Sequence, residues 1–374
     1  MKILLFANTE WYLYNFRRTL ALALQDAGHD VLLLSPPGPY GEKLEALGLR
    51  WLPIPMARRS LNLFREVALV IWLSKLMRRE RVDLVHGFTI KGAVYGSLAA
   101  RLARVPARVC GIDGLGYVFA SNDLKARMLR PLVRAMLRLA LNGENARLIL
   151  LNHDDVAFFQ QAGLVDSNLV RLIPGAGVDC ERFELSGQRV KGQPLRVLMA
   201  ARLLWDKGLA EYVAAARLLN GQRRQIHLLL AGTPDPGNPK SVPVETVQSW
   251  VDDGLIDWIG HVSDMPTLLA TVHVVVLPSY REGLPTTLTE AAACSLPLIT
   301  TNVPGCRDVV THEVDGLLIP VRDAAALAQA IARLDDDPVL ATRLGAAARA
   351  KALALFEERI VIKSTMAVYA ELIN

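Results

Sequence analysis

The sequence predicts two doubly wound α/β domains in tandem, each built on a parallel sheet. Three observations carry this. At 374 residues the chain exceeds what one ordinary hydrophobic core serves. Short apolar runs alternate with longer helical patterns, the signature of βαβ units. The alternation then breaks once, in a polar stretch after residue 185, and restarts.

The first domain, residues 1–185, opens with a strand at 3–7 and continues with strands at 31–35, 49–54, 84–86, 108–111, 148–151 and 170–173. Most are short apolar, β-branched or Leu-rich runs, as a sheet covered on both faces requires. Helical periodicity fills 14–27, 61–79, 90–102 and 125–141 between them. The break reads SGQRVKGQP, with two glycines and a proline and no packing period, and is expected to be the linker.

The second domain, residues 186–374, has strands at 196–200, 227–231, 256–259, 274–277, 298–301 and 316–319, with helices between. Two helical patterns, 338–355 and 358–373, follow its last strand, and the final one is expected to cross back to the first domain. In open parallel sheets, ligands bind beyond the carboxyl ends of the strands, where strand order reverses. Two such domains facing an interdomain cleft put the chemistry in the loops that follow strands.

Composition narrows the class. Hydrophobic residues make up 52% and charged residues 21%, so the whole length can fold. Cys110, Cys180, Cys294 and Cys306 are scattered without C-x-x-C spacing and read as reduced thiols. The first apolar run, five residues, is short for a signal peptide, and no window reaches the ~18 apolar residues of a membrane span. A cytoplasmic protein is expected. Residues 1–180 carry about 23 Lys and Arg against about 15 Asp and Glu, while the remainder is slightly acidic. The basic half suits an anionic partner.

The loops carry the chemistry. Asn8, Trp11 and Tyr12 follow the first strand where a dinucleotide binder would have G-x-G-x-x-G; neither that fingerprint nor a P-loop is present. Two readings stand for the aromatics, acceptor contact and packing over the strand ends. The second domain's first strand runs into Arg202-Leu203-Leu204-Trp205-Asp206-Lys207-Gly208. Its two cations, with a helix start at about 206, make a plausible diphosphate cradle, the arginine as a fork and the lysine as a mobile charge.

The stronger signal is Glu282-Gly283-Leu284-Pro285-Thr286 leading to Glu290. A turn at the glycine and a helix starting near Pro285 offer backbone N–H groups to a phosphate or sugar hydroxyl. Two carboxylates eight residues apart can each accept hydrogen bonds from a polyol.

These residues resemble the family 4 glycosyltransferases of the GT-B fold: Glu282 and Glu290 match that family's E-x7-E motif, and Arg202 to Gly208 its R-x4-K-G loop. Asp83-Leu84-Val85-His86 and the 111–116 loop, Gly-Ile-Asp-Gly-Leu-Gly, are similar to its first-domain motifs. The similarity spans the chain and is strongest to bacterial members that build capsule, O-antigen and lipid-linked glycans. It implies a retaining transferase that needs no metal and no cofactor, using a nucleotide sugar, UDP-sugar favoured, as donor substrate. Carried over by position, Arg202 and Lys207 bind the donor diphosphate and Glu290 the ribose. Glu282 lies by the transferred sugar, close to the Gly283, Leu284, Pro285 and Thr286 turn. The absence of a D-x-D motif from the loops that follow strands agrees with metal independence. One position departs from the family: where a histidine often precedes the glycine of the loop after the fifth strand, this chain has Asp113. Asp113 is read either as a partner of sugar or acceptor hydroxyls or as a turn residue. His86 is the alternative imidazole, or a structural one.

Lys125, Arg127, Arg130, Arg134 and Arg138 are interleaved with Leu, Met and Val and no acid, and the 58–81 stretch, with Arg58, Arg59, Leu61, Trp72, Lys75, Arg78, Arg79 and Arg81, is similar. Each reads as an ordinary amphipathic helix or as a contact with anionic lipid at the inner face of the cytoplasmic membrane. A polyprenyl-diphosphate-linked glycan is the acceptor that such a contact suits. No nucleic-acid module is present. Two other functions use the same fold: a UDP-sugar 2-epimerase, and a non-catalytic subunit that binds glycan or lipid carrier.

Overall fold

The computed structural model describes residues 1–56, 62–114, 124–184, 193–222 and 224–373, the side chains of 124–127 and 129 excepted. Most of the expected linker, Arg58, Arg59 and Leu61, the end of the glycine loop at Leu115 and Gly116, and the side chains of Lys125 and Arg127 lie outside the described residues.

The chain divides into two compact units, Met1–Ala176 with Arg359–Asn374, and Gly177–Glu358. The first holds seven strands: β1 Lys2–Phe6, β2 Asp30–Ser35, β3 Arg50–Pro53, β4 Leu84–Phe88, β5 Ala107–Ile112, β6 Ala146–Leu150 and β7 Val170–Leu172. All pair in parallel in the order β3-β2-β1-β4-β5-β6-β7. The second holds β8 Leu195–Ala200, β9 Ile226–Ala231, β10 Asp257–Gly260, β11 Val274–Leu277, β12 Leu298–Thr301 and β13 Leu317–Ile319, in the order β10-β9-β8-β11-β12-β13. Strand order reverses beside β1 in one sheet and beside β8 in the other.

Side-chain alternation explains how each sheet is covered on both faces. Leu4 and Phe6 of β1 join Leu69, Leu73 and Leu76 of the helix Leu63–Glu80 on one face. Ile3 and Leu5 turn to the other face, against Leu13, Leu20 and Leu24. That second layer also contains Val361, Val368 and Tyr369 of the helix Glu358–Ala370, so the last helix belongs to the first unit. Glu371, just beyond it, is held by Arg147 at 2.8 Å and Arg171 at 2.5 Å. All four cysteines are buried, and none forms a disulfide.

Three helices differ from the sequence pattern. The expected helix at 14–27 begins earlier and is divided into Glu10–Phe16 and Arg18–Asp26. Thr9 caps its start by accepting from Tyr12 N, and Arg17 leaves helical geometry at φ −132° because its side chain reaches back to Tyr12. The helix expected from about 206 is a 3-10 turn, Trp205–Lys207, and the α-helix Leu209–Gly221 starts only after Gly208 at φ +81°. The 338–355 pattern ends as an α-helix at Lys351 and continues as a wider π turn over Ala352–Phe356.

Candidate active site

In the second unit the site grows from the carboxyl ends of β8 and β11, next to the point where strand order reverses. Gly208 admits the close approach of the two loops: a Cβ there would stand 2.2 Å from Pro278 O, and its φ is left-handed. Tyr280 N donates to Asp206 O at 2.9 Å, and Ser279 Oγ to the same oxygen at 3.1 Å. Thr287, in the first turn of the helix Thr286–Ala293, donates its hydroxyl to Ala200 O at the end of β8, 2.9 Å away. These contacts hold the loop after β8 against the loop after β11.

The central contact is an ion pair. Lys207 Nζ lies 2.5 Å from Glu282 Oε1, with both side chains largely enclosed. Arg202 remains over half exposed and pairs with Asp235 Oδ2 at 3.0 Å. Behind Glu282, its N–H donates to Pro304 O at 3.1 Å, and Gly305, at φ +78°, lies so close that a Cβ would meet Gly283 O at 2.5 Å. Gly283, Leu284 and Thr286 are half-buried on this turn, and Pro285 is buried as the cap of the helix. Glu290 is half-buried, and desolvation raises its carboxyl to about 7, opposed by the charge of Arg182.

The residues expected in the first unit separate into two groups. Tyr12 and Asp113 meet: the Tyr12 hydroxyl donates to Asp113 Oδ2 at 2.6 Å. His86 is buried beside them, its ring 3.9 Å from that of Phe88 and its Nδ1 2.6 Å from the Tyr369 hydroxyl. Burial and the Arg17 charge hold its imidazole well below the usual range. Trp11 turns away with 42% exposure, edge-on to Phe16 at 5.3 Å, and Asn8 stands half-buried at the exit of β1.

Family models match most of both units. The model of the glycosyl transferases group 1 matches residues 182–351, and that of the glycosyl transferase 4-like proteins matches residues 2–152. The chain is a family 4 glycosyltransferase of the GT-B fold. This glycosyltransferase is 28% identical to the N,N'-diacetylbacillosaminyl-diphospho-undecaprenol alpha-1,3-N-acetylgalactosaminyltransferase of Campylobacter jejuni, over 97% of this chain and 96% of that one. It is 28% identical to the UDP-Gal:alpha-D-GlcNAc-diphosphoundecaprenol alpha-1,3-galactosyltransferase of Escherichia coli, over 83% and 80%. Its fold superposes on a glycosyltransferase from Rickettsia africae with a TM-score of 0.81 at 18% identity, covering 100% of this chain and 98% of that one.

Four parts of the glycosyltransferase's two polar clusters escaped the motif reading. Asp235, the partner of Arg202, follows β9, and the Pro304-Gly305 support follows β12, so both come from strand ends without a catalytic signature. The Thr287 hydroxyl bond is invisible to spacing. Arg17 sits inside an apparently continuous helical pattern, where a charged residue reads as solvated.

Proposed function

We propose that the glycosyltransferase moves a hexose or N-acetylhexosamine from a nucleoside-diphosphate sugar, UDP-sugar favoured, to a hydroxyl of a polyprenyl-diphosphate-linked glycan, with retention and without a metal ion. The observation that carries this is the Lys207–Glu282 contact, a cation suited to diphosphate touching a carboxylate suited to a sugar. Both curated relatives are named for undecaprenyl-diphosphate-linked acceptors, and the E. coli protein for a UDP-sugar.

The chemistry follows from charge. In the ligand-free protein each cation is neutralised by a carboxylate, Lys207 by Glu282 and Arg202 by Asp235. An arriving diphosphate offers both cations denser negative charge, and the arginine a bidentate partner. Lys207 then turns to phosphate and Glu282 becomes available to sugar hydroxyls. As the bond from the anomeric carbon to the β-phosphate oxygen breaks, negative charge collects on that phosphate. Arg202, Lys207 and the positive end of the helix Thr286–Ala293 stabilise it. The acceptor hydroxyl bonds to the anomeric carbon on the face the diphosphate leaves and gives its proton to a departing phosphate oxygen, which retains configuration. Glu290 accepts the ribose hydroxyls.

A lipid-linked acceptor brings the reaction to the inner surface of the cytoplasmic membrane. In the first unit the helices Leu63–Glu80 and Leu124–Leu141 both pack beside the helix Thr89–Ala103. The first exposes Leu63, Phe64, Val67, Ile71 and Trp72 near Arg65, Lys75, Arg78 and Arg79. The second exposes Met128, Leu132 and Leu139 near Arg134 and Arg138, with Arg130 half-buried. Apolar side chains among cations suit an anionic lipid surface. Among the described residues no helix is long and apolar enough to cross a membrane.

Thermal stabilisation by a panel of nucleotide sugars tests the reading. One donor stabilising the native protein but not Lys207→Ala is expected; stabilisation by none overturns the assignment. With that donor, NMR of the product reports the anomeric configuration, and inversion defeats retention. Loss of turnover in chelator defeats metal independence.

A further inference from the structure

Where β1, β4 and β5 end in the first unit, a cation is enclosed with only 8% exposure. Arg17 stands at the break between two helices and lies over the Phe88 ring at 4.5 Å. Its Nε and Nη2 both donate to the Tyr12 hydroxyl oxygen, at 3.2 and 2.8 Å. A phenol oxygen has two acceptor positions and one hydrogen. With both positions taken by Arg17, the hydrogen goes to the remaining neighbour, Asp113 Oδ2, 2.6 Å away. Arg17 therefore sets the direction of that bond.

The other carboxylate oxygen is left over. Asp113 Oδ1 is shielded from solvent and has no hydrogen-bond partner among the described residues. Arg17 Nη2 is 3.8 Å from it, near enough for attraction and too far for a hydrogen bond. A shielded carboxylate oxygen without a donor costs about 1–3 kcal/mol or more, so its retention asks for a ligand. The other groups facing this set are His86, of which burial disfavours the charged form, and Tyr369, of which burial raises the hydroxyl well above the ordinary range. Neither competes with Arg17 for the carboxylate. Burial raises Asp113, and the Arg17 charge and the Tyr12 bond act against that rise.

We infer that Tyr12, Arg17 and Asp113 form a receptor for one sugar hydroxyl: Asp113 Oδ1 accepts that hydroxyl, and Arg17 is a positioning residue that orients the carboxylate through Tyr12. The inference rests on the glycosyl-transfer reading. A carboxylate can only accept, so it selects a ligand group that donates, a hydroxyl rather than a phosphate oxygen. That hydroxyl belongs to the transferred sugar or to the acceptor sugar.

The test uses the full chain with a donor and acceptor on which the wild type turns over; absence of any wild-type turnover counts against the transfer reading itself. Steady-state kcat and KM are then measured separately for each substrate, across pH, in Asp113→Asn, Tyr12→Phe and Arg17→Gln. Asp113→Asn is expected to raise KM for one substrate roughly tenfold, the worth of one hydrogen bond to a charged group, and to leave the other nearly unchanged. The substrate affected identifies whether the hydroxyl is the donor's or the acceptor's. Arg17→Gln and Tyr12→Phe remove what holds the Asp113 carboxyl down, so the acid limb of kcat/KM moves to higher pH. In Asp113→Asn the part of the limb that this carboxyl sets disappears, while the part that Glu290 sets near 7 stays. A purely structural role for Arg17 would lower stability without moving the limb. Should Arg17→Gln fail to fold, Tyr12→Phe, which loses one oxygen, carries the same readouts. Unchanged KM for both substrates in Asp113→Asn, or an unmoved limb in the positioning variants, overturns the proposal.

Discussion

Lys207 Nζ and Glu282 Oε1 lie 2.5 Å apart, although the residues belong to loops after different strands of the second sheet. The pair is largely enclosed, and removing one partner leaves a poorly solvated charge. In the ligand-free protein, Lys207→Met and Glu282→Gln should each destabilise, and the double variant should lose less than their sum. A coupling energy of about 1 kcal/mol or more is expected from denaturant unfolding. Strict additivity would mean that the contact contributes nothing.

Glu290 gives the donor site a pH dependence near neutrality. Its carboxyl is raised to about 7 by burial, so it takes up a proton in the folded state while an unfolded chain would leave it ionised. Stability of the ligand-free protein from this group is therefore full at low pH and declines as pH climbs from the ordinary carboxylate range through about 7. Ribose binding has the opposite preference, since the carboxylate is the better acceptor of hydroxyl hydrogens. Nucleotide-sugar affinity, read by calorimetry, should strengthen with rising pH through that same range, and Glu290→Gln should flatten the profile.

Gly305 supports the Glu282–Gly283 turn from behind, at φ +78°. In Gly305→Ala the new methyl meets Gly283 O and Glu282 O, both backbone atoms that cannot swing aside. A loss of about 2–4 kcal/mol in unfolding free energy is expected, with weakened donor binding in the protein that folds. Wild-type stability together with wild-type donor affinity would show that the turn does not depend on this contact.

Phe64 is 87% exposed on the helix Leu63–Glu80. Its replacement by Ser should leave the melting temperature nearly unchanged and reduce flotation with anionic liposomes. Equal flotation of the two proteins, or association insensitive to salt, would count against lipid contact on this helix.

The fold was legible because fully buried parallel strands leave continuous apolar runs, such as ILLF in β1 and VVVL in β11, that no solvent-facing element would carry. The candidate residues Arg202, Lys207, Glu282 and Glu290 could be picked out in the sequence because the spacing within each of their two motifs is local. What escaped was non-local or set by backbone geometry. Arg17 breaks its helix for a partner five residues back that is itself held by a residue 101 positions away. The late start of the helix expected at 206 follows from Gly208 having to clear Pro278 O, a contact between loops that no local pattern contains.

The return of Arg359–Asn374 to the first unit bears on how the polypeptide is made. Tyr369 bonds to His86, and Glu371 to Arg147 and Arg171, so contacts inside the first unit join residues more than 190 positions apart. On the ribosome, the N-terminal sheet emerges early and then waits, its helical layer incomplete, until the whole second unit has been translated. The second unit, contiguous from Gly177 to Glu358, is under no such delay and can finish folding first. The first unit therefore completes its helical layer only once Arg359–Asn374 has been made.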